Sequence, residues 1–160
     1  MKILVAVDGS ENSDHAVQYV STMLKDAADV KITLFHVIKA LPAELLEHGG
    51  SENPATEVQL GAQLRKDQDA WYKEREAKCG VLAHTRDILA KAGFDTKRVS
   101  LKFGHEEDVA RNILEEARDG GYSTVVVGRH GASRIKRFFG GGVTDQVLGG
   151  CSGLTIWIVE

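Results

Sequence analysis

Aliphatic runs that alternate with helix-length segments limit this chain to very few architectures. Residues 3–7 (ILVAV) carry no polar alternation, the pattern of a strand covered on both faces, and stop at Asp8-Gly9-Ser10. From Ser13 onward Ala16, Val17, Val20, Met23, Leu24 and Ala27 recur at steps of three and four. That spacing predicts a helix with one apolar stripe, capped by Asn12 or Ser13. Residues 30–38 (VKITLFHVI) form the second strand and close a β-α-β unit, whose crossover is expected to be right-handed.

The alternation resumes after an irregular stretch. Residues 39–57 hold both prolines, Pro42 and Pro54, and read as an insertion. Residues 58–92 read as one long helix, sparse in apolar groups at first (Leu60, Leu64, Trp71) and amphipathic later (Leu82, Ile88, Leu89, Ala92). Gly80 marks a bend or break in it, and Gly93 its stop. Over residues 96–103, Val99, Leu101 and Phe103 alternate with polar neighbours, as in a strand near a sheet edge that Gly104 ends. A helix over 106–118, a buried strand over 124–127, a short helix over 143–148 and a last strand over 154–159 complete the order. The expectation is an α/β three-layer sandwich with a five-stranded, mostly parallel, Rossmann-like sheet of order 3-2-1-4-5. It is expected to be a single domain over 1–160, with an insertion and long helix around 39–80.

Composition narrows the function classes. The 160 residues are 42% apolar and 27% charged, too apolar for a disordered chain. With 20 basic and 23 acidic residues the net charge is -3, so no global basic field points to nucleic acid or to an anionic membrane. Cys79 and Cys151 form no Cys-x-x-Cys or Cys/His cluster, which argues against a disulfide framework or a zinc site. No stretch approaches the roughly 20 apolar residues of a membrane span. The run 3–7 is too short for a secretory core, so the expected setting is cytoplasmic.

In an open parallel sheet a ligand crevice forms at the carboxyl ends of the strands where their order reverses, here between the first and fourth. The segments leaving those strands are Asp8-Gly9-Ser10 and Gly128-Arg129-His130-Gly131, and Gly140, Gly141 and Gly142 run directly into the next predicted helix. Glycines let backbone N–H groups approach a ligand, and a helix N-terminus adds unpaired donors, which suits a phosphate. Arg134, Lys136 and Arg137 add cations between the glycines. The competing reading is a surface loop whose glycines only turn and whose charges are solvated. Asp8 has two readings as well, ligand contact or an Asx turn that starts the next helix. His130 either faces a phosphate or lies on the loop surface, and His36 packs or caps at the sheet rim.

The spacing Gly128-x-x-Gly131, nine residues, Gly141, with VAVDGSENS at the first strand and LFHVI in the second, resembles the universal stress protein family. The resemblance spans nearly the whole chain apart from the insertion. It implies that Asp8 and Val37 contact a nucleoside, and that Gly128, Gly131, Gly141 and the following Gly142, Val143 and Thr144 hold ribose and phosphates. Val7, beside Asp8, and Arg129 and His130, between the first two glycines, complete the candidate set. The implied ligand is ATP, with ADP or AMP as alternatives, and Mg2+ arrives only with the nucleotide. The implied assembly is a homodimer through the last strand. There Leu154, Ile156 and Ile158 face one way and Thr155, Trp157 and Val159 the other, both faces apolar.

One position departs from the family pattern: Gly142 stands where the motif has Ser or Thr. A hydroxyl bound to a charged phosphate contributes about 1.5–3 kcal/mol, so its loss weakens binding by about one to two orders of magnitude. The Thr144 hydroxyl is the expected partial substitute. Gly-x-Ser-x-Gly, HExxH and GxxxxGK[ST] are all absent, so no enzyme is expected, beyond slow ATP hydrolysis at most. The expected function is that of a cytoplasmic sensor in stress response that binds an adenine nucleotide. The alternative is a nucleotide-free dimeric interaction module with a decayed site.

Overall fold

The structure is a computed structural model that describes residues 1–38, 41–47, 49–105, 108–129 and 142–160. Its elements are β1 (Lys2–Ala6), α1 (Glu11–Leu24), β2 (Lys31–Ile38), α2 (Pro54–Lys78), α3 (Val81–Lys91), β3 (Val99–His105), α4 (Val109–Asp119), β4 (Thr124–Gly128), α5 (Val143–Gly150) and β5 (Thr155–Val159). Short 3-10 turns at Ala43–Leu45 and Thr96–Arg98 precede α2 and β3. All four strand pairings are parallel, in the order β3-β2-β1-β4-β5. The expected five-stranded, Rossmann-like α/β fold of order 3-2-1-4-5 is therefore present.

Side chains alternate across each strand, and both faces are covered. Ile3 and Val5 of β1 join Ile32, Leu34 and Val126 in a core layer with α1 and α3. Leu4 joins Phe35, Val37, Val125 and Val127 in the opposite layer, under α4 and α5. This double coverage explains why the inner strands read as unbroken aliphatic runs. In β5, Trp157 and Val159 pack towards the first layer and Ile156, with Leu154 just before the strand, towards the second, as their alternation predicts.

Several element ends differ from the sequence expectation, each for a local reason. α1 starts at Glu11 because Ser10, not Asn12 or Ser13, is its cap, its side chain accepting from Ser13 N–H at 3.3 Å. The long helix expected over 58–92 is two helices. Cys79 adopts an extended conformation (φ -81°, ψ 110°), and α3 begins afresh at Val81. α2 itself starts earlier than expected, at Pro54, behind an Asn53 cap that accepts from Ala55 N–H at 2.9 Å. β3 starts only at Val99, since 96–98 form a 3-10 turn capped by Asp95, and it runs through Gly104 to His105. A side chain at Gly104 would collide with Asn112 of α4 and with Phe35, so the glycine admits close helix packing rather than ending the strand. Among the described residues no helix is long and apolar enough to cross a membrane.

Candidate functional site

β1 and β4 lie side by side, Val5 opposite Val126, and their connections leave towards opposite faces, to α1 and to α5. The reversal at which a ligand crevice is expected therefore falls at the ends of these two strands. At the β1 end, Val7 N–H donates to the Phe35 carbonyl at 2.9 Å. Its own carbonyl accepts from His36 Nδ1 at 2.7 Å, which fixes the proton on that nitrogen. His36 thus caps the rim, with its ring edge-on to Phe103 at 6.2 Å.

Asp8 Oδ1 accepts from the Ser10 N–H at 3.0 Å and from the Ser10 hydroxyl at 2.6 Å. This is the Asx turn of the structural reading, and Gly9 makes it possible with a φ of 77°. The turn holds the exposed Asp8 carboxylate at the strand ends, directly before the first turn of α1.

Across the crevice, a side chain on Gly128 would come within 2.8 Å of the Asn12 carbonyl oxygen. Its glycine thus lets the start of α1 rest on the end of β4. Thr144 ties α5 to the same point: it is buried, and its hydroxyl donates to the Gly128 carbonyl at 2.8 Å. That proton is therefore committed within the protein, so the hydroxyl expected to substitute for the missing motif Ser already has a structural role. Gly142 caps α5 in an extended conformation (φ -61°, ψ 173°) and has no side chain to offer. Asp145 reaches back instead, accepting from Gly142 N–H at 3.2 Å. The amides of Val143 and Thr144 open α5, where a helix has no intrahelical acceptor to offer them.

Among the candidate residues, Val7, Asp8, Gly128, Gly142, Val143 and Thr144 occupy the ends of β1 and β4 and the start of α5. Val37 lies at the end of β2, one strand over, with its side chain 7% exposed in the core. Arg129 extends β4, donating from its N–H to the Val159 carbonyl at 2.8 Å, and its guanidinium pairs with the Glu160 carboxylate. His130, Gly131 and Gly141, with Gly140 and the cations Arg134, Lys136 and Arg137, lie outside the described residues. Among the described residues no group of three His, Cys, Asp or Glu side chains is arranged to hold a metal.

Sequence reading missed one cluster at this rim. His105, the last residue of β3, stacks on the Tyr72 ring with centroids 4.0 Å apart, and its Nε2 meets Glu76 Oε1 at 2.6 Å. Tyr72 and Glu76 stand one helical turn apart on α2, a spacing visible in the sequence, but nothing in it points to their partner on β3.

The profile of the universal stress protein family matches residues 1–153. None of the curated protein sequences matches significantly. Among solved structures, the hypothetical protein MJ0577 is 22% identical, with a TM-score of 0.63 over 99% of this chain and 94% of its own. A universal stress protein in complex with cAMP is 21% identical, with a TM-score of 0.60 over 100% of this chain and 96% of its own. A universal stress protein from Archaeoglobus fulgidus in complex with dAMP is 15% identical, with a TM-score of 0.57 over 100% and 98%. At these identities the likeness establishes the shared fold. With the profile matched from β1 to the turn before β5, and the strand order found, the chain belongs to the universal stress protein family.

Proposed function

We propose that this protein binds an adenine nucleotide in the crevice between the ends of β1 and β4, as a non-catalytic, cytoplasmic sensor in stress response. The observation that carries this reading is the meeting of the Asp8 turn, the end of β4 at Gly128 and the opening turn of α5 at one switch point. Asp8 and Val37 would contact the nucleoside. The glycine segment and the amides of Val143 and Thr144 would hold phosphate. Two structural neighbours in complex with cAMP and dAMP support an adenine ligand of this class. ATP is the proposed ligand, with ADP or AMP as alternatives, and Mg2+ would enter with the nucleotide. The unit of function is a single domain over 1–160 acting as a homodimer through β5.

Calorimetry with ATP, ADP and AMP, with and without Mg2+, tests the reading. A dissociation constant in the micromolar range, about -8 kcal/mol, is expected. Gly131→Val, at the second motif glycine, should weaken binding at least tenfold. Absence of heat with all three nucleotides at millimolar concentration overturns the proposal, and an unchanged affinity in Gly131→Val moves the site elsewhere.

A second reading, the nucleotide-free dimeric module, draws support from three features. Gly142 lacks the motif hydroxyl, the Thr144 proton is committed to Gly128, and the Arg129 cation is paired with Glu160. Mass analysis of small molecules released from the purified, denatured protein separates the two: a stoichiometric adenine nucleotide favours the first, and its absence together with silent calorimetry favours the second.

A further inference from the structure

α2 is the longest helix, 25 residues, yet it has no buried residue, whereas α1, α3, α4 and α5 each bury at least two. No residue of α2 belongs to either core cluster, and Leu60, Leu64 and Trp71 are only half-buried, so directional contacts carry a larger share of what holds it than they do for the other helices. Its half-buried stripe includes Glu57, Leu64, Gln68, Tyr72 and Glu76 at steps of four and seven. Glu57 accepts from Ser51 N–H at 2.8 Å, and Gln68 Nε2 donates to the Leu45 carbonyl at 2.7 Å. Both partners belong to the segment that leads into α2, so these bonds can travel with the helix. The ties to the sheet are different: α2 lies against β2, and beside it His105 of β3 stacks on Tyr72 and bonds to Glu76.

The two ends of α2 make this contact mechanically informative. At its C-terminal end Cys79 is extended, and Gly80 is exposed, with no described atom where a side chain would project. Beyond them α3 is anchored by buried Leu82, Thr85 and Leu89. A two-residue joint therefore connects a fixed helix to a lightly held one. His105 pairs in register with Ile38, and Gly104 with Val37, so the contact lies at the strand-end rim one residue beyond Val37.

We propose that α2 is a strap hinged at Cys79 and Gly80, clasped shut by His105 between Tyr72 and Glu76, and that its opening sets how fast nucleotide enters and leaves. The gating half rests on the nucleotide reading above; the strap itself does not. A part-exposed hydrogen bond to a carboxylate and one ring stack together amount to a factor of about ten in an equilibrium constant.

Two measurements on the full chain test this. First, hydrogen exchange followed by mass spectrometry compares the nucleotide-free protein with His105→Ala. About tenfold faster exchange confined to α2, with α3, α4 and the melting temperature unchanged, is expected. Unchanged exchange in α2, or a rise spread over the whole molecule, overturns the strap. Second, stopped-flow binding of N-methylanthraniloyl-ATP should show association and dissociation rates rising by a similar factor in His105→Ala and in Glu76→Gln, with the affinity altered less than twofold. Unchanged rates beside faster α2 exchange overturn the gate. If the wild-type protein binds no nucleotide, the site reading and the gate fall together, and exchange alone judges the strap.

Discussion

At the scale of single residues, two glycines of the rim do opposite work. Gly128 is required by what surrounds it: a side chain there would meet backbone atoms of Asn12, which can yield only if α1 shifts. Gly142 is not constrained in this way. Its φ of -61° suits any residue, and a side chain would meet no described atom within 4 Å. Gly142→Ser would therefore supply two missing things at once, a side-chain acceptor for the first turn of α5 and a hydroxyl for phosphate. We expect a stability gain of a few tenths of a kcal/mol, read by thermal denaturation. We also expect nucleotide affinity to rise about ten- to a hundredfold, read by calorimetry. A stability gain without any change in affinity would show that phosphate does not approach α5. The alternation of strands and helices made the meeting of β1 and β4 legible in the sequence. The destination of the Thr144 proton was not, because its acceptor is a main-chain carbonyl 16 residues away, on a different element.

At the scale of elements, helices with similar caps carry very different shares of the stability. Asp108 caps α4 by accepting from Arg111 N–H at 3.0 Å, and that helix buries Ala110, Ile113, Leu114 and Ala117. Asn53 caps α2 in the same manner, but no residue of α2 is fully buried. Asp108→Ala should cost about 1 kcal/mol and lower the melting temperature by about 2–4 °C. Asn53→Ala should leave the melting temperature within about 1 °C and speed amide exchange in α2 alone. Equal losses of melting temperature would mean that α2 unfolds with the core. The same distinction decides what the sequence revealed. Elements that enter the core were legible because burial marks the sequence: β1 and β2, covered on both faces, as aliphatic runs, and α1 and α4 as apolar stripes of helical period. The docking of α2 was hidden because polar and aromatic contacts at single points leave no such mark. Its start was misplaced because Asn53-Pro54 reads equally as a turn and as a capped first helical residue. The opening of β3 was misread for a related reason: the 3-10 turn at Thr96–Arg98 lets Val99 alone of that stretch join the core.

At the scale of the whole molecule, the two sheet edges are unequal. β3 presents exposed Lys102 along its length and is preceded by exposed Lys97, charges that discourage another strand from pairing. β5 (TIWIV) contains no charge, and Ile158 is 41% exposed. Beside it, Tyr19 of α1 stands edge-on to Trp157 at 6.5 Å, and these two line an open groove of about 480 Å³ with Ile158, Val159 and Glu160. Pairing of β5 with its copy would satisfy the free strand edge. A stable interface buries at least about 1,200 Å², more than a five-residue strand provides, so exposed Tyr19 and Met23 of α1 should join the contact. The protein is therefore expected to sediment as a dimer at micromolar concentration. Ile158→Lys places a cation on the unguarded edge at a side chain that is already partly in water, so the protomer should fold normally and remain monomeric. Lys102→Ala, on the opposite edge, should leave the dimer intact. Sedimentation velocity on the three proteins decides the matter. A wild-type monomer at about 100 μM, roughly a hundred times the concentration at which a micromolar dimer is half formed, rejects the self-association. An Ile158→Lys dimer would place the contact on another surface.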